Sequence, residues 1–422
     1  MKTLLKNTLR ILAKLTLARY QPRVVAITGS VGKTSTKAAI AAVLGAKFHV
    51  RASSGNYNNE IGVPLAIIDE VSGEKNPLLW IWIFIKALAK IVYSNYPEIL
   101  VVELGTDRPG DIAYLVRLLG QIEVGVLTDI GISHFEYFAT QAELAREKLT
   151  LIKKLDRSSL AVLNFDSPKV YENRGQAKAD AIGYGFHNDA RVLISDFQVI
   201  RADDQWGANF KIHNQGNVVP FFLPKALGKP PVYAAAAACA CAVRFGIDLA
   251  TASEALKSFT PPAGRLRLIT GIKQTLVIDD TYNSAPDSVI AALEALSQVA
   301  TGRKVAALGG MAELGHKTES GHRDVAAKLV ENRIDLVFLV GENAKIIQDE
   351  LNKRKFSGRV FWFGDSVQAR EQIPGALLEH DTILVKGSQS ARMERVVKAI
   401  MSDPEKASEL LVRHDPKWLA TP

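Results

Sequence analysis

Short apolar runs recur along the chain, each followed by a loop and then a stretch with helical spacing. "RVVAITG" from Arg23 reads as a buried strand, followed by a glycine loop and a helix to about Leu44. "EILVVELG", ending its strand at Glu103, "IEVGVLTDIG" and "LAVLNFD" repeat the theme. Apolar runs of this kind between helices indicate a parallel sheet covered on both faces. From Ile182 to Pro220 the pattern becomes alternating and polar, which predicts an antiparallel β extension. "SFTPPAGRLR" (258–267) is rich in Pro and Gly and reads as a domain boundary. Beyond it, "TLVIDDTYNSAPDSVIAALEAL", "KVAALGGMAEL", "IDLVFLVGENAKII", "GRVFWFGDS" and "DTILVKGSQSARMERVVKAI" fit a second open α/β domain. The expected division is 1–22, 23–262 and 263–422. Its parts are a leading helix, a phosphate-loop α/β ATPase domain with the antiparallel extension, and a Rossmann-like C-terminal α/β domain. Ligands of open parallel sheets sit beyond the carboxyl ends of strands, here Asp279 and Asp280, Gly309, Gly341 and Lys386.

Two segments stand apart from this rhythm. In residues 1–20, Lys2, Lys6, Arg10 and Lys14 recur every fourth position and form one stripe. Leu4, Leu5, Leu9, Ile11, Leu12 and Leu15 fill the opposite arc. This is a basic amphipathic helix rather than a cleavable leader, whose apolar centre would be uninterrupted. It can lie on an anionic membrane or pack on the protein body. "PLLWIWIFIKALAKIVYSNYP" (77–97) is broken by Lys86 and Lys90, so it falls far short of the ~20 apolar residues of a membrane span. It is a core helix, or a surface patch working with the first.

Composition narrows the picture. The 422 residues are 47% hydrophobic and 23% charged, as in ordinary globular domains. The net charge of +8 is uneven, since ten Lys or Arg precede the first acid, Glu60. A basic front end suits an anionic ligand or a membrane surface. No nucleic-acid-binding signature accompanies it, so none is expected as a partner. Cys239 and Cys241 lie in "YAAAAACACAV" and read as small buried helix residues. So few cysteines fit a reducing compartment, the cytoplasm.

Candidate chemistry begins at "ITGSVGKTST", Ile27 to Thr36. The full phosphate-loop pattern asks for glycine where Ile27 stands, but Ile27 belongs to the strand. Gly29 and Gly32 let backbone N–H groups of Gly29, Ser30, Val31, Gly32, Lys33, Thr34 and Ser35 turn toward phosphate oxygens. Lys33 can reach the outer phosphates, and the Thr34 hydroxyl can ligate Mg²⁺. Glu103, at a strand end before Gly105, can hold Mg²⁺ through oxygen or cap the next helix. His134 follows another strand and is a crevice ligand or a structural histidine. "SSGNYNNEIGVPL" carries Asn56, Asn58 and Asn59, which orient a polar substrate or make turns. Lys148, on an amphipathic helix, is by itself one lysine among several. Asp279 and Asp280 bind metal or substrate, or end a strand. Gly387 and Ser388 are read at a helix start, an anion site or a turn.

Taken in order, "ITGSVGKTSTK", "GNYNNEIGVPL", "VVELGTDRPGDIAYL", "TDIGISHFEYF", "AREK", "AVLNFDSP", "PAGRLRL", "VIDDTYNSAPDSVIAAL", "ALGGMAELG" and "LVKGSQSARMERVV" resemble the Mur ligases, which build the peptide of bacterial cell walls. The likeness runs from about residue 24 to about 400. It is greatest to the branch that adds D-alanyl-D-alanine to a UDP-N-acetylmuramoyl tripeptide. The resemblance implies an ATP-dependent amide ligase working through an acyl phosphate, with two Mg²⁺ sites. Lys33 and Thr34 would serve the triphosphate and first metal, with Glu103 as metal ligand and His134 serving the second. Lys148 matches a lysine that the family carbamylates, giving an anion able to hold metal. Lys33, Lys148 and His134 would thus be catalytic. Asn56, Asn58, Asn59 and Asp280 would lie near substrate, and Arg265 and Asn283 would touch nucleotide across the domain junction. Lys386 and Ser388 would meet the incoming carboxylate. The expected partners are a muropeptide-like acceptor and an amino acid or dipeptide. A monomer is expected, with peripheral contact to the inner membrane face through residues 1–20 and 77–93.

The departures are specific. Family members carry a separate N-terminal domain that grips the UDP-sugar, whereas here one basic helix precedes the phosphate loop. A lipid-linked or peptide acceptor is the alternative. The family's His-Asn before the Ala-rich helix is Pro230 and Pro231 here. Gly310 replaces Asp in "GGMAELG", and Ala285 replaces Asn in "NSAP". Two other readings stay open: a ligase resembling folylpolyglutamate synthase, and an inactive nucleotide-binding scaffold on the membrane.

Overall fold

A computed structural model describes residues 2–53, 57–93, 95–131, 138, 140–202, 205–414 and 416–419. Among these, fifteen strands form two sheets, of nine and six strands. The first contains β1 (Arg23–Thr28), β2 (Val50–Ala52), β3 (Ile99–Glu103), β4 (Val124–Leu127), β5 (Leu160–Asn164), β6 (Asp180–Gly185), β7 (Val192–Ala202), β8 (Gln205–Asn214) and β9 (Asn217–Pro224). Their order is β2-β3-β1-β4-β5-β6-β7-β8-β9. Pairing is parallel as far as β7, and β7, β8 and β9 form an antiparallel meander at one edge. The second sheet has the order β10-β11-β15-β12-β13-β14. Its strands are β10 (Arg267–Thr270), β11 (Leu276–Asp280), β12 (Lys304–Gly309), β13 (Leu336–Val340), β14 (Arg359–Phe363) and β15 (Thr382–Lys386). Only β10 runs antiparallel to its neighbour.

Strands β1, β3, β4 and β5 are buried almost end to end, because helices cover both faces of the parallel part. Helix α1 (Lys2–Tyr20), α2 (Lys33–Leu44), α3 (Gly62–Ile68), α4 (Pro77–Tyr93), α5 (Asp111–Leu119) and α6 (Gln141–Lys153) follow in chain order. One face is closed by α2 and the helix Lys229–Arg244, whose Ala234–Ala242 run is 0–1% exposed. Side chains no larger than Cys let that helix lie close against α2. Cys239 and Cys241 of this helix are buried with free thiols. The opposite face is closed by α5 and α6, with Ala13 of α1.

Helix α1 divides its apolar arc. Leu9 and Leu12 pack with Ile83 and Ala87 of α4 and with Leu65 and Ile68 of α3, while Leu4, Ile11 and Leu15 stay exposed. Helix α4 is therefore a surface helix, not a core one. No helix among the described residues is long and apolar enough to cross a membrane.

β1 lies between β3 and β4, so the chain leaves it in opposite directions on either side. That is the switch point where open parallel sheets form a crevice. In the second sheet, β11 and β15 pair with Asp280 opposite Lys386 at their carboxyl ends.

Candidate active site

The loop after β1 is stitched to the end of β4. Ser30 N–H donates to Asp129 O at 2.8 Å, Thr128 Oγ1 donates to Val31 O at 2.6 Å, and Gly131 N–H donates to Ser30 Oγ at 3.0 Å. Gly29 has φ +152°, and a Cβ there would fall 2.0 Å from Thr128 Oγ1. Gly32 has φ +82° and directly precedes α2. Gly32 is thus required by its positive φ, and Gly29 by its φ and by close approach.

Two ammonium groups converge on one carbonyl. Lys33 Nζ donates to Gly29 O at 2.7 Å, and Lys148 Nζ donates to the same oxygen at 3.0 Å. Lys148 reaches it from α6, where Thr140 caps the helix start by accepting from Glu143 N–H. The neighbouring Glu147 anchors α6 by accepting from Gly110 N–H (2.8 Å) and Ile112 N–H (2.7 Å) at the start of α5. Burial, with help from Lys33, lowers the Lys148 pKa to about 7. Burial also lowers Lys33, against the raising pull of Glu103.

Glu103 ends β3 in register with Ile27 of β1. Burial alone would raise its pKa, but Lys33, Lys37 and Arg265 together hold it below the usual carboxylate value. Thr34 Oγ1 donates to Glu103 Oε2 at 3.0 Å, and Lys37 lies 3.5 Å from the same oxygen. Asn58 Nδ2 donates to Glu103 Oε1 at 3.4 Å. Lys37 went unremarked in the sequence. Its signal was position, one helical turn beyond Lys33 and hence on the same face. Asp129 was missed as well. It is half-buried in the cleft wall, accepts from Ser167 Oγ at 2.7 Å, and has its pKa raised by desolvation.

Arg265 crosses from the second half of the chain. Its Nη2 donates to Thr34 Oγ1 at 3.0 Å, and its guanidinium lies 4.1 Å from the Tyr282 ring centre. Its Nε is buried with no hydrogen-bond partner among the described residues. A cleft of about 1140 Å³ joins the two halves, lined by Ser30–Thr36, Glu103, Arg265, Asn283, Lys386 and Ser388, among others. Asn58 and Asn59 line both this cleft and a smaller adjoining pocket that Lys33 and Lys148 share.

The remaining candidates sort by contact. Asn59 Oδ1 caps α3, accepting from Ile61 N–H and Gly62 N–H, so this amide is partly structural. Asp279 is fully buried and accepts from Gly264 N–H and Thr281 Oγ1, which makes it a brace of the interdomain turn rather than a ligand. Asp280 pairs with Lys386 at 2.6 Å, and Lys386 also donates to Asn283 O at 2.9 Å. Asn283 Oδ1 accepts from Ser284 N–H. Ser388 Oγ donates to Gly310 O. The helix expected at Gly387 begins only at Glu394. Residues Gln389–Ala391 make a short 3₁₀ turn instead, and Arg392 at φ +51° breaks the path. Asn56 and His134 lie outside the described residues.

The donor set fits a nucleoside triphosphate. Cations face one another around backbone N–H groups at a helix start, and an unpartnered guanidinium N–H stands in the same cleft. The Thr34 hydroxyl and Glu103 carboxylate are hard oxygen donors of the kind Mg²⁺ takes alongside phosphate and water. No cluster of three or more His, Cys, Asp or Glu occurs among the described residues. Such an all-protein cage is not what Mg²⁺ at a phosphate site uses.

Family profiles match in the same order as this architecture. The Mur ligase middle domain matches residues 27–79 and 82–242, and the Mur ligase glutamate ligase domain matches residues 264–389. The chain belongs to the Mur ligase family. Members are ATP-dependent, ADP-forming amide ligases, and this chain is an enzyme of that class. The UDP-N-acetylmuramoyl-tripeptide--D-alanyl-D-alanine ligase of Bacillus subtilis is 30% identical over 399 residues, which is 94% of this chain and 80% of the relative. The Escherichia coli enzyme of the same name is 29% identical, over 90% of this chain and 77% of its own length. MurF from Thermotoga maritima, solved in complex with ADP, superimposes with a TM-score of 0.78 at 25% identity, covering 96% and 84% of the two chains. A folylpolyglutamate synthase of Mycobacterium tuberculosis shares the fold, with a TM-score of 0.66 at 17% identity, covering 91% of this chain and 93% of its own.

Proposed function

We propose that this Mur ligase adds D-alanyl-D-alanine, or a similar amino acid or dipeptide, to the terminal carboxylate of a muropeptide precursor. An acceptor carboxylate oxygen attacks the γ-phosphorus of ATP, and ADP leaves. The incoming amine then attacks the acyl carbon, phosphate leaves, and the amine loses its proton. Two anions must meet in the first step, so the site must supply positive charge. The observation that carries the reading is the convergence of Lys33, Lys37 and Arg265 around Glu103 at the glycine loop, with Lys148 meeting Lys33 on the Gly29 carbonyl as the amine open to carbamylation. Lys33 would hold the migrating phosphoryl oxygens, and Arg265 would bring the second half of the chain onto the nucleotide. Thr34 and Glu103 would hold Mg²⁺, which supplies charge neutralisation of the phosphates. Asn58 and Asn59 would orient the acceptor, and the Asp280–Lys386 pair with Ser388 would receive the incoming carboxylate. A neutral Lys148 amine is the form that reacts with carbon dioxide, which supports its carbamylation and service to a second Mg²⁺ with His134. The working units are proposed as 23–262 and 263–422, in a monomer acting in the cytoplasm against the inner membrane face.

The test is phosphate release from ATP with muropeptide acceptors, with and without D-alanyl-D-alanine. Release that requires both substrates supports the reading. Release driven by folate and glutamate instead would move the assignment to the folylpolyglutamate branch. Nucleotide binding without turnover on any acceptor would leave a scaffold.

A further inference from the structure

Helix α4 reverses the usual arrangement of a surface helix. Its two charges are taken up by neighbouring acids: Lys86 pairs with Glu70 at 2.9 Å, and Lys90 pairs with Glu70 at 2.8 Å and Asp69 at 3.6 Å. Its outward side is apolar. Leu78, Ile81, Trp82, Ile85, Leu88 and Val92 recur at helical spacing, and each is more than half exposed. Helix α1 lies alongside in the same direction, with Tyr20 Oη donating to Lys90 O at 2.6 Å. It extends the stripe with Leu4, Ile11 and Leu15, flanked by exposed Arg10, Lys14 and Arg19. Neither helix contains an acidic residue.

We infer that this two-helix face docks in the plane of an anionic lipid bilayer. A continuous apolar stripe of this length is unfavourable in water. The charged side chains carried by the two helices are all cationic, which complements acidic headgroups and would set cation against cation if a second copy covered the same face. Neither helix is long and apolar enough to span a bilayer, so it lies at the interface. Trp82 has the amphipathic ring that suits headgroup depth. The face adjoins the acceptor end of the cleft: Lys6 of α1 pairs with Glu60 at 2.6 Å, and Glu60 lines the small pocket with Asn58 and Lys148. Given the ligase reading, the enzyme thereby meets acceptors carried at the membrane surface.

Vesicle flotation of the full chain tests this without any turnover. The protein should float with phosphatidylcholine vesicles containing about 30% phosphatidylglycerol. It should bind pure phosphatidylcholine far more weakly and be released as salt rises from about 0.1 M to about 0.5 M. The double variant Trp82→Ser/Ile85→Ser should lose roughly tenfold or more in partition. Arg10→Glu/Lys14→Glu should lose at least about 25-fold, at roughly fivefold per basic residue. Both should keep wild-type phosphate release in vesicle-free solution. Absence of flotation, equal flotation of the variants, or a solution dimer that the Trp82→Ser/Ile85→Ser variant dissolves would overturn the docking.

Discussion

Replacing Lys148 with methionine removes a titrating amine while keeping most of its packing. The amine is 1% exposed, and its folded pKa is about 7 against an ordinary 10.5. Below pH 7 the folded and unfolded chains both hold the proton, and the contribution to stability is flat. Between pH 7 and 10.5 the unfolded chain binds more protons than the folded one, so stability rises with pH. The limiting slope is about 1.4 kcal/mol per pH unit. Allowing for half-protonation at pH 7, the wild type should gain about 2 kcal/mol between pH 7 and pH 9 relative to Lys148→Met. Urea unfolding of both proteins across this window, in buffers purged of carbon dioxide, measures the difference. Parallel curves would refute a depressed pKa, and with it the reason for a reactive amine here. Addition of carbon-13-labelled bicarbonate should then give a carbamate resonance in wild type that Lys148→Met lacks.

Three further outcomes follow from the same geometry. Lys33→Ala should lower phosphate release by roughly 100-fold or more, because on the proposed reading it removes the cation that would hold the migrating phosphoryl oxygens; single-turnover kinetics reads this directly. Gly29→Ala sets a methyl 2.0 Å from Thr128 Oγ1 and 2.9 Å from Asp129 N, so the loop must shift. Calorimetric titration should show loss of ADP binding, with stability reduced by about 1–3 kcal/mol. Lys386→Met leaves Asp280 buried without its partner and should cost about 3–5 kcal/mol in unfolding experiments, whereas the double change Lys386→Met/Asp280→Leu should recover much of it.

The alternation of apolar runs and helices exposed both sheets in the sequence, because buried parallel strands leave an unbroken hydrophobic signature. The meander β7–β9 was visible for the opposite reason, its one-sided burial giving a period of two. Other features needed three dimensions. Lys148 carries no local mark, since what distinguishes it is convergence with Lys33 on a carbonyl 119 positions away. Asp279 and Asp280 look equivalent as neighbours, yet strand alternation sends one into an interdomain turn and the other to Lys386. Periodicity placed the polar stripe of α1, but the break of the 77–97 run at Lys86 and Lys90 could not show that both lysines pair with Glu70. The helix expected at Gly387 failed because the left-handed Arg392 delays it, a backbone choice that no side-chain pattern announces.

The close contact between α2 and the alanine-rich helix carries a consequence far from its own location. The residues that follow the glycine loop, Lys33, Thr34 and Lys37, all ride on α2. Enlarging a residue such as Ala236, which is 0% exposed, would overpack the layer that holds α2 against the sheet, since a close-packed interior transmits strain. The chemistry can therefore be retuned from a position that touches no substrate. Variation in this helix would therefore reach the loop's geometry and the stability of the fold together.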